Sequence, residues 1–102
     1  MGIFDFLKLN RKSEQIKDFM SRGAVIIDVR TRGEFNTGHI KNSKNIPLSS
    51  LNTEVKKIQK LNKPIITCCQ SGMRSASAKS ILKSNGVEVI NGGSWWGLQN
   101  KM

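Results

Sequence analysis

Short apolar runs alternate with helix-spaced apolar residues along the chain. The runs AVIIDV (24–29), PIITC (64–68) and VEVI (87–90) predict buried strands, and a further brief strand is predicted in NIPL (45–48). The segments before and between these runs have a helical pattern. This alternation predicts one α/β domain in which helices flank both faces of a central, mostly parallel sheet.

Three longer segments carry the helical pattern: residues 13–22, the lysine-rich stretch after Pro47, and residues 75–84. Their predicted inner residues are Ile16, Phe19 and Met20 in the first, Leu51, Val55 and Ile58 in the second, and Ala76, Ile81 and Leu82 in the third. Thr31 and Glu34 stand at the spacing of a capping box, which predicts a short helical turn after the first strand.

The length of 102 residues fits a single domain. We interpret residues 1–12 as an N-terminal extension that could form a helix, and residues 13–102 as the domain. The opening residues lack the pattern of a signal peptide, and no apolar run approaches the roughly 18 residues that cross a membrane. We therefore expect a cytoplasmic protein without a membrane span.

The composition is strongly basic, with 17 Lys and Arg against 7 Asp and Glu and a formal net charge of +10. The lysines are scattered, and no tyrosine is present to stack on bases, so a solvated surface that attracts small anions is favoured over a nucleic-acid partner. The single histidine, His39, and two adjacent cysteines form neither a disulfide framework nor a spaced zinc-ligand set. No metal and no cofactor are expected.

Both cysteines lie at the predicted carboxyl end of a strand, where open α/β sheets bind their ligands. Gly72 lets the following loop bend tightly, so that its N–H groups can face inward at the amino terminus of a helix. Such a position can lower the pKa of a cysteine thiol and supply a nucleophile. Arg74 adds a permanent positive charge for an oxyanion.

Two registers of this loop predict different enzymes. In one, Cys69 is followed by four residues and Arg74; in the other, Cys68 is followed by five residues, Arg74 and Ser75. The second register resembles cysteine-dependent phosphatases and arsenate reductases, which also need a general acid for the leaving group. The candidate aspartates are Asp5, Asp18 and Asp28, none of which lies in a loop resembling such a motif.

The stretch CQSGMRS (69–75) resembles the active-site loop of single-domain rhodaneses. DVRTRGEFNTGHIKNSKNIPL (28–48) resembles their Asp-x-Arg, acidic-aromatic, Gly-His-Ile and Asn-Ile-Pro pattern, and NGGSWWGL is similar to their closing segment. The resemblance covers about residues 13–98. It favours the Cys69 register over the Cys68 register.

The resemblance implies a sulfurtransferase with a rhodanese-like fold and a persulfide on Cys69. The implied loop around this sulfur consists of Gln70, Ser71, Gly72, Met73 and Arg74, and the implied supporting residues are Asp28, Arg30, Glu34, His39 and Ser75. The implied partners are a small anionic donor such as thiosulfate and a thiol or cyanide acceptor, with a sulfur-carrier protein as a further candidate.

Two positions depart from the family pattern. Met73 stands where a small polar residue is usual, and Cys68 stands where an aromatic residue is common, so that a strained vicinal disulfide with Cys69 is conceivable. A non-catalytic redox-sensing or binding module is the remaining alternative. The intact cysteine loop with Arg74 argues against that alternative.

Overall fold

The computed structural model describes the backbone of residues 2–102 and the side chains of residues 11–102. Its strands are β1 (Val25–Asp28), β2 (Lys44–Asn45), β3 (Ile65–Cys69) and β4 (Val89–Ser94). They form a four-stranded sheet in the order β2-β1-β3-β4, and every neighbouring pair is parallel. The predicted α/β fold with a central parallel sheet is confirmed.

The helices are α1 (Gly2–Ser21), α2 (Arg32–Asn36), α3 (Leu51–Leu61), α4 (Met73–Ser84) and α5 (Trp95–Lys101), with a 3₁₀ turn over Leu48–Ser50. The capping box at Thr31 and Glu34 is present at the start of α2. Helix α1 passes through residue 12 without a break. The division of the chain at that position stays a prediction.

Two apolar clusters cover the two faces of the sheet. The cluster on one face joins inward residues of α3 and α4, such as Val55 and Leu82, to Ile27 and Ile65 of the sheet. The cluster on the other face joins α1 and α5 to the intervening strand residues, such as Ile26. Successive residues of a strand therefore enter different clusters, as the period of two in a strand requires.

The third predicted helix and its inner stripe need correction. Helix α4 begins at Met73, two residues before the predicted start, and its buried residues are Ser75, Ala78 and Leu82. Ala76 is exposed. Because each residue advances a helix by about 100°, Ala76 lies beside the buried stripe rather than in it, whereas Leu82 is buried and Ile81 packs against the same cluster, as predicted.

Two of the predicted strands, β2 and β4, are also shifted along the chain. Strand β4 begins at Val89 because the N–H of Val87 donates to the carbonyl of Leu82, which completes the end of α4. It continues through NGGS, so this part of the predicted closing segment belongs to the strand. Gly92 permits this path, since a Cβ there would lie 2.9 Å from the Thr67 carbonyl oxygen. Strand β2 covers Lys44–Asn45 rather than NIPL.

Within the described residues, no helix is long and apolar enough to cross a membrane. The same residues contain no group of three His, Cys, Asp or Glu side chains placed to hold a metal ion.

Candidate active site

Strand β3 directs its last two residues to opposite faces of the sheet. Cys68 packs in the cluster beneath α1 and α5, and Cys69 packs in the cluster beneath α3 and α4. Both cysteines are free, and both have 0% of their surface exposed. A bond between their sulfurs would require one side chain to leave its cluster.

The Cys69 sulfur is surrounded by hydrogen-bond donors from the loop and from α4. The Gly72 N–H donates to Sγ at 3.0 Å, and the Ser75 N–H donates at 3.4 Å. The Ser75 hydroxyl oxygen also lies 3.4 Å from Sγ. Because Ser75 is in the first turn of α4, its N–H has no carbonyl partner one turn earlier in the helix and is free to face the sulfur.

These donors lower the pKa of the Cys69 thiol. Burial alone would raise it, but hydrogen bonds from the Ser75 hydroxyl and from the N–H groups of Ser75, Gly72 and Ser71 together outweigh the effect of burial. The thiolate is therefore more populated at neutral pH than for an ordinary cysteine.

Cys68 has the opposite chemistry. Burial, followed by the negative charge of Asp28, raises the pKa of the Cys68 thiol to about 12. At neutral pH this residue is a small apolar side chain in the core.

The loop approaches strand β4 closely at Gly72. This residue has φ of 99°, in the left-handed region, and a Cβ there would lie 3.4 Å from the Cα of Gly93. The φ angle favours glycine, whereas a Cβ at that distance would be in ordinary van der Waals contact. Gln70, Ser71 and Met73 are exposed around the covered sulfur, and Met73 has 78% of its surface exposed.

Arg74 pairs with Glu34 across the mouth of the loop. Its Nη1 and Nη2 donate to the two carboxylate oxygens at 2.7 and 2.9 Å. The hydrogen bond from Arg74, with others from Thr31, holds the pKa of Glu34 at about 2. Two of the five N–H bonds of the guanidinium group, expected to serve an oxyanion, are therefore already used by Glu34.

Asp28 and Arg30 form a buried ion pair beneath the site. Nη2 of Arg30 donates to Asp28 Oδ2 at 2.7 Å and to the Gly38 carbonyl at 2.7 Å, and Nη1 donates to the Glu34 carbonyl at 3.2 Å. The guanidinium group also lies 4.9 Å from the ring centre of Trp95. Through these contacts Arg30 holds α2 and the following loop against β1 and α5. Removing one partner of such a buried pair costs roughly 3–5 kcal/mol.

The contacts of His39 are with Phe35 of α2 rather than with the donors around the Cys69 sulfur. Its ring stacks on Phe35 with the centroids 3.7 Å apart, and its Nδ1 lies 2.8 Å from the Phe35 carbonyl oxygen. These contacts hold the turn that follows α2.

The candidate general acids of the rival register have other contacts. Asp28 is fully buried against Arg30, and Asp18 pairs with Arg22 at the end of α1. The side chain of Asp5 lies outside the described residues.

Asn91 belongs to the site but was not predicted. Its Oδ1 accepts the Ser75 hydroxyl at 2.7 Å and the Gly93 N–H at 2.9 Å, and its Nδ2 donates to the Gly72 carbonyl at 3.1 Å. The NGG sequence is typical of a turn, so the pattern did not indicate that Asn91 lies in a strand. Since β3 and β4 are parallel neighbours, their carboxyl ends meet at one edge, and that was the available signal.

The chain belongs to the rhodanese-like domain family, which matches residues 12–96. This assignment confirms the family resemblance drawn from the cysteine loop and from the 28–48 segment.

Individual relatives agree with the family assignment. YqhL, an uncharacterized protein of Bacillus subtilis, is 42% identical over 71 residues, which are 69% of this chain and 56% of YqhL. A putative mitochondrial thiosulfate sulfurtransferase of Schizosaccharomyces pombe is 32% identical, covering 93% of this chain and 75% of its own. The human single-domain sulfurtransferase structure is similar with a TM-score of 0.68 and 27% identity, over 87% of this chain and 93% of that chain. This chain therefore spans little more than half of YqhL.

Proposed function

We propose that the protein is a sulfurtransferase that carries sulfane sulfur as a persulfide on Cys69. The observation that carries this proposal is the convergence of the Gly72 and Ser75 donors on the Cys69 sulfur. Family membership and the relatives named as sulfurtransferases support the type of reaction.

In the proposed first step, the Cys69 thiolate attacks the outer sulfur of thiosulfate. A sulfur–sulfur bond to Cys69 forms, the sulfur–sulfur bond of the donor breaks, and its electron pair leaves on sulfite. In the second step, a thiolate or cyanide attacks the outer sulfur of the persulfide, and the Cys69 thiolate leaves. Cyanide yields thiocyanate, and a thiol yields a new persulfide.

The loop from Gln70 to Arg74 is proposed to hold the transferred sulfur. Met73 and Arg74 occupy the first two positions of α4, so their N–H groups have no intrahelical acceptor. These donors and the positive end of the helix dipole favour the negative charge of the persulfide. The remaining N–H bonds of Arg74 attract the anionic donor, while Glu34 fixes the direction of its guanidinium group.

Asp28, Arg30, His39 and Ser75 are proposed to support this loop rather than to react. A small anionic donor suits the basic surface, and a thiol, cyanide or a sulfur-carrier protein is the proposed acceptor. The reduced cysteines suit a cytoplasmic setting.

Intact-mass spectrometry after incubation with thiosulfate tests the proposal. We expect the mass to rise by one sulfur atom, fragment spectra to place that atom on Cys69, and cyanide to remove it. Cys68→Ser is the matched control, which should still gain the sulfur. A phosphoryl adduct on Cys68 after incubation with an aryl phosphate, with no sulfur on Cys69, would contradict the proposal.

A further inference from the structure

Asn91 joins three parts of the cysteine loop through one side chain. It contacts the Ser75 hydroxyl in the first turn of α4, the carbonyl of Gly72 at the start of that helix, and the N–H of Gly93 in β4. Gly72 and Ser75 are the same two residues that donate to the Cys69 sulfur. Asn91 thus contacts both of these residues, through the Gly72 carbonyl and the Ser75 hydroxyl, without contacting the sulfur.

The contacts determine the orientation of the amide group. The backbone N–H of Gly93 can only donate, so the Asn91 atom beside it is the oxygen. The carbonyl of Gly72 can only accept, so the atom beside it is the nitrogen. Asparagine satisfies both backbone groups, whereas a carboxylate at this position could satisfy only the first.

We propose that Asn91 is a positioning residue that sets the ionisation of Cys69 by holding in place Gly72 and Ser75, whose backbone N–H groups donate to its sulfur. The inference rests on the proposed function only in taking Cys69 as the reacting cysteine.

The network has a consistent arrangement for each form of Cys69. With a thiol, S–H donates to Ser75 Oγ, and the Ser75 hydroxyl donates to Asn91 Oδ1. When the thiol proton leaves to solvent, the Ser75 hydroxyl hydrogen rotates to the thiolate. The single Ser75 hydroxyl hydrogen thereby leaves Asn91 Oδ1, which keeps the hydrogen bond from the Gly93 N–H, so ionisation leaves neither the thiolate nor the amide oxygen without a partner.

The test measures the pKa of Cys69 in Asn91→Asp and Asn91→Ala. The readout is the pH dependence of iodoacetamide alkylation, assigned to Cys69 by fragment spectra. Little alkylation of Cys68 is expected below about pH 10, because burial raises its thiol pKa to about 12. We expect both variants to raise the Cys69 pKa by about one unit or more, which lowers the thiolate fraction about tenfold at any pH well below that pKa.

Asn85→Asp is the matched control. The Asn85 amide also donates to a backbone carbonyl, that of Ile81 at 2.8 Å, but it stands at the opposite end of α4. Twelve helical residues separate that end from the loop by roughly 18 Å. The control should therefore leave the Cys69 pKa unchanged.

An unchanged Cys69 pKa in both Asn91 variants would overturn the inference, as would an increase in Asn91→Asp alone, which would reflect only the added charge. Circular dichroism checks folding, and Asn91→Ser replaces Asn91→Ala if the latter does not fold. The thiosulfate mass experiment separates the two proposals. If wild-type Cys69 accepts no sulfur, the proposed function fails while the pKa comparison still decides the role of Asn91.

Discussion

Cys68 and Cys69 are joined by one peptide bond but lie in opposite surroundings. Cys68 faces α1 and α5, where burial raises its thiol pKa to about 12. Cys69 faces α4, where four hydrogen-bond donors lower its thiol pKa despite burial. Both side chains have 0% of their surface exposed. Exposure therefore does not distinguish them, and the difference lies in the donors around each sulfur.

The comparison also explains how Cys68 can pack in the core while its neighbour Cys69 is the proposed nucleophile. The period of two along β3 sends each side chain to a different face. The strand ends at Cys69, so that the loop and the first turn of α4 can fold over that sulfur. The same strand thus supplies core packing and the cysteine of the candidate active site.

The largest expected effect separates the two cysteines by activity. Cys69→Ser should lower sulfur transfer from thiosulfate to cyanide by on the order of 10⁴-fold or more, because the nucleophile is lost. Cys68→Ser should retain most of the rate, since its sulfur faces away from the loop. The measurement is thiocyanate formation under saturating thiosulfate. An equal loss in both variants would show that the two cysteines act as a pair.

The second-largest expected effect is on the rates at which the two cysteines are alkylated, not on the rate of sulfur transfer. From a pKa of about 12 for Cys68 and a lowered one for Cys69, the thiolate fractions at pH 7 should differ by at least about 10³-fold. We expect iodoacetamide to label Cys69 first in the folded protein, and both residues at similar rates in concentrated urea. Similar rates in the folded protein would remove the distinction between the two sulfurs.

The fold was largely predictable because the apolar runs and the helical spacings are strong local signals. The pattern located both ends of β1, and both ends of the cysteine-bearing strand β3, to within one residue. It misplaced β4, because the glycines of NGGS are unusual in a strand. Gly92 is required here by close contacts with β3 and Leu98, and Gly93 adopts a left-handed φ of 84°. Those contacts are tertiary, and local propensity does not report them.

The site was predictable in its residue types but not in its pairings. The spacing of Cys69, Gly72 and Arg74 indicated a cysteine loop at a helix start. It did not indicate that Arg74 pairs with Glu34, 40 residues earlier, or that Asn91 joins Gly72 to Ser75. Long-range polar contacts depend on how the strands and loops meet, so they required the structure.

The smallest expected effect compares the ion pairs near the two sulfurs. The Asp28–Arg30 pair, whose charges act on Cys68, is buried with side-chain exposures of 2% for Arg30 and 0% for Asp28. The Arg74–Glu34 pair beside the Cys69 loop is partly exposed, at 37% and 35%. Solvent weakens an exposed pair, so its contribution to the free energy of unfolding should be modest.

Acid should weaken the Arg74–Glu34 pair through Glu34. The pKa of this carboxyl falls from an ordinary 4.5 to about 2 in the folded chain, so its stabilising effect is present above about pH 4.5 and is lost as the pH falls towards 2. We expect a double-mutant cycle of Glu34→Gln and Arg74→Met, followed by urea unfolding, to give a coupling that is constant from pH 7 to 5 and then declines. The cycle cancels the loss of the Thr31 contacts, which Glu34→Gln alone would include. A coupling free energy that stayed constant down to pH 2.5 would show that protonation of Glu34 does not weaken this ion pair.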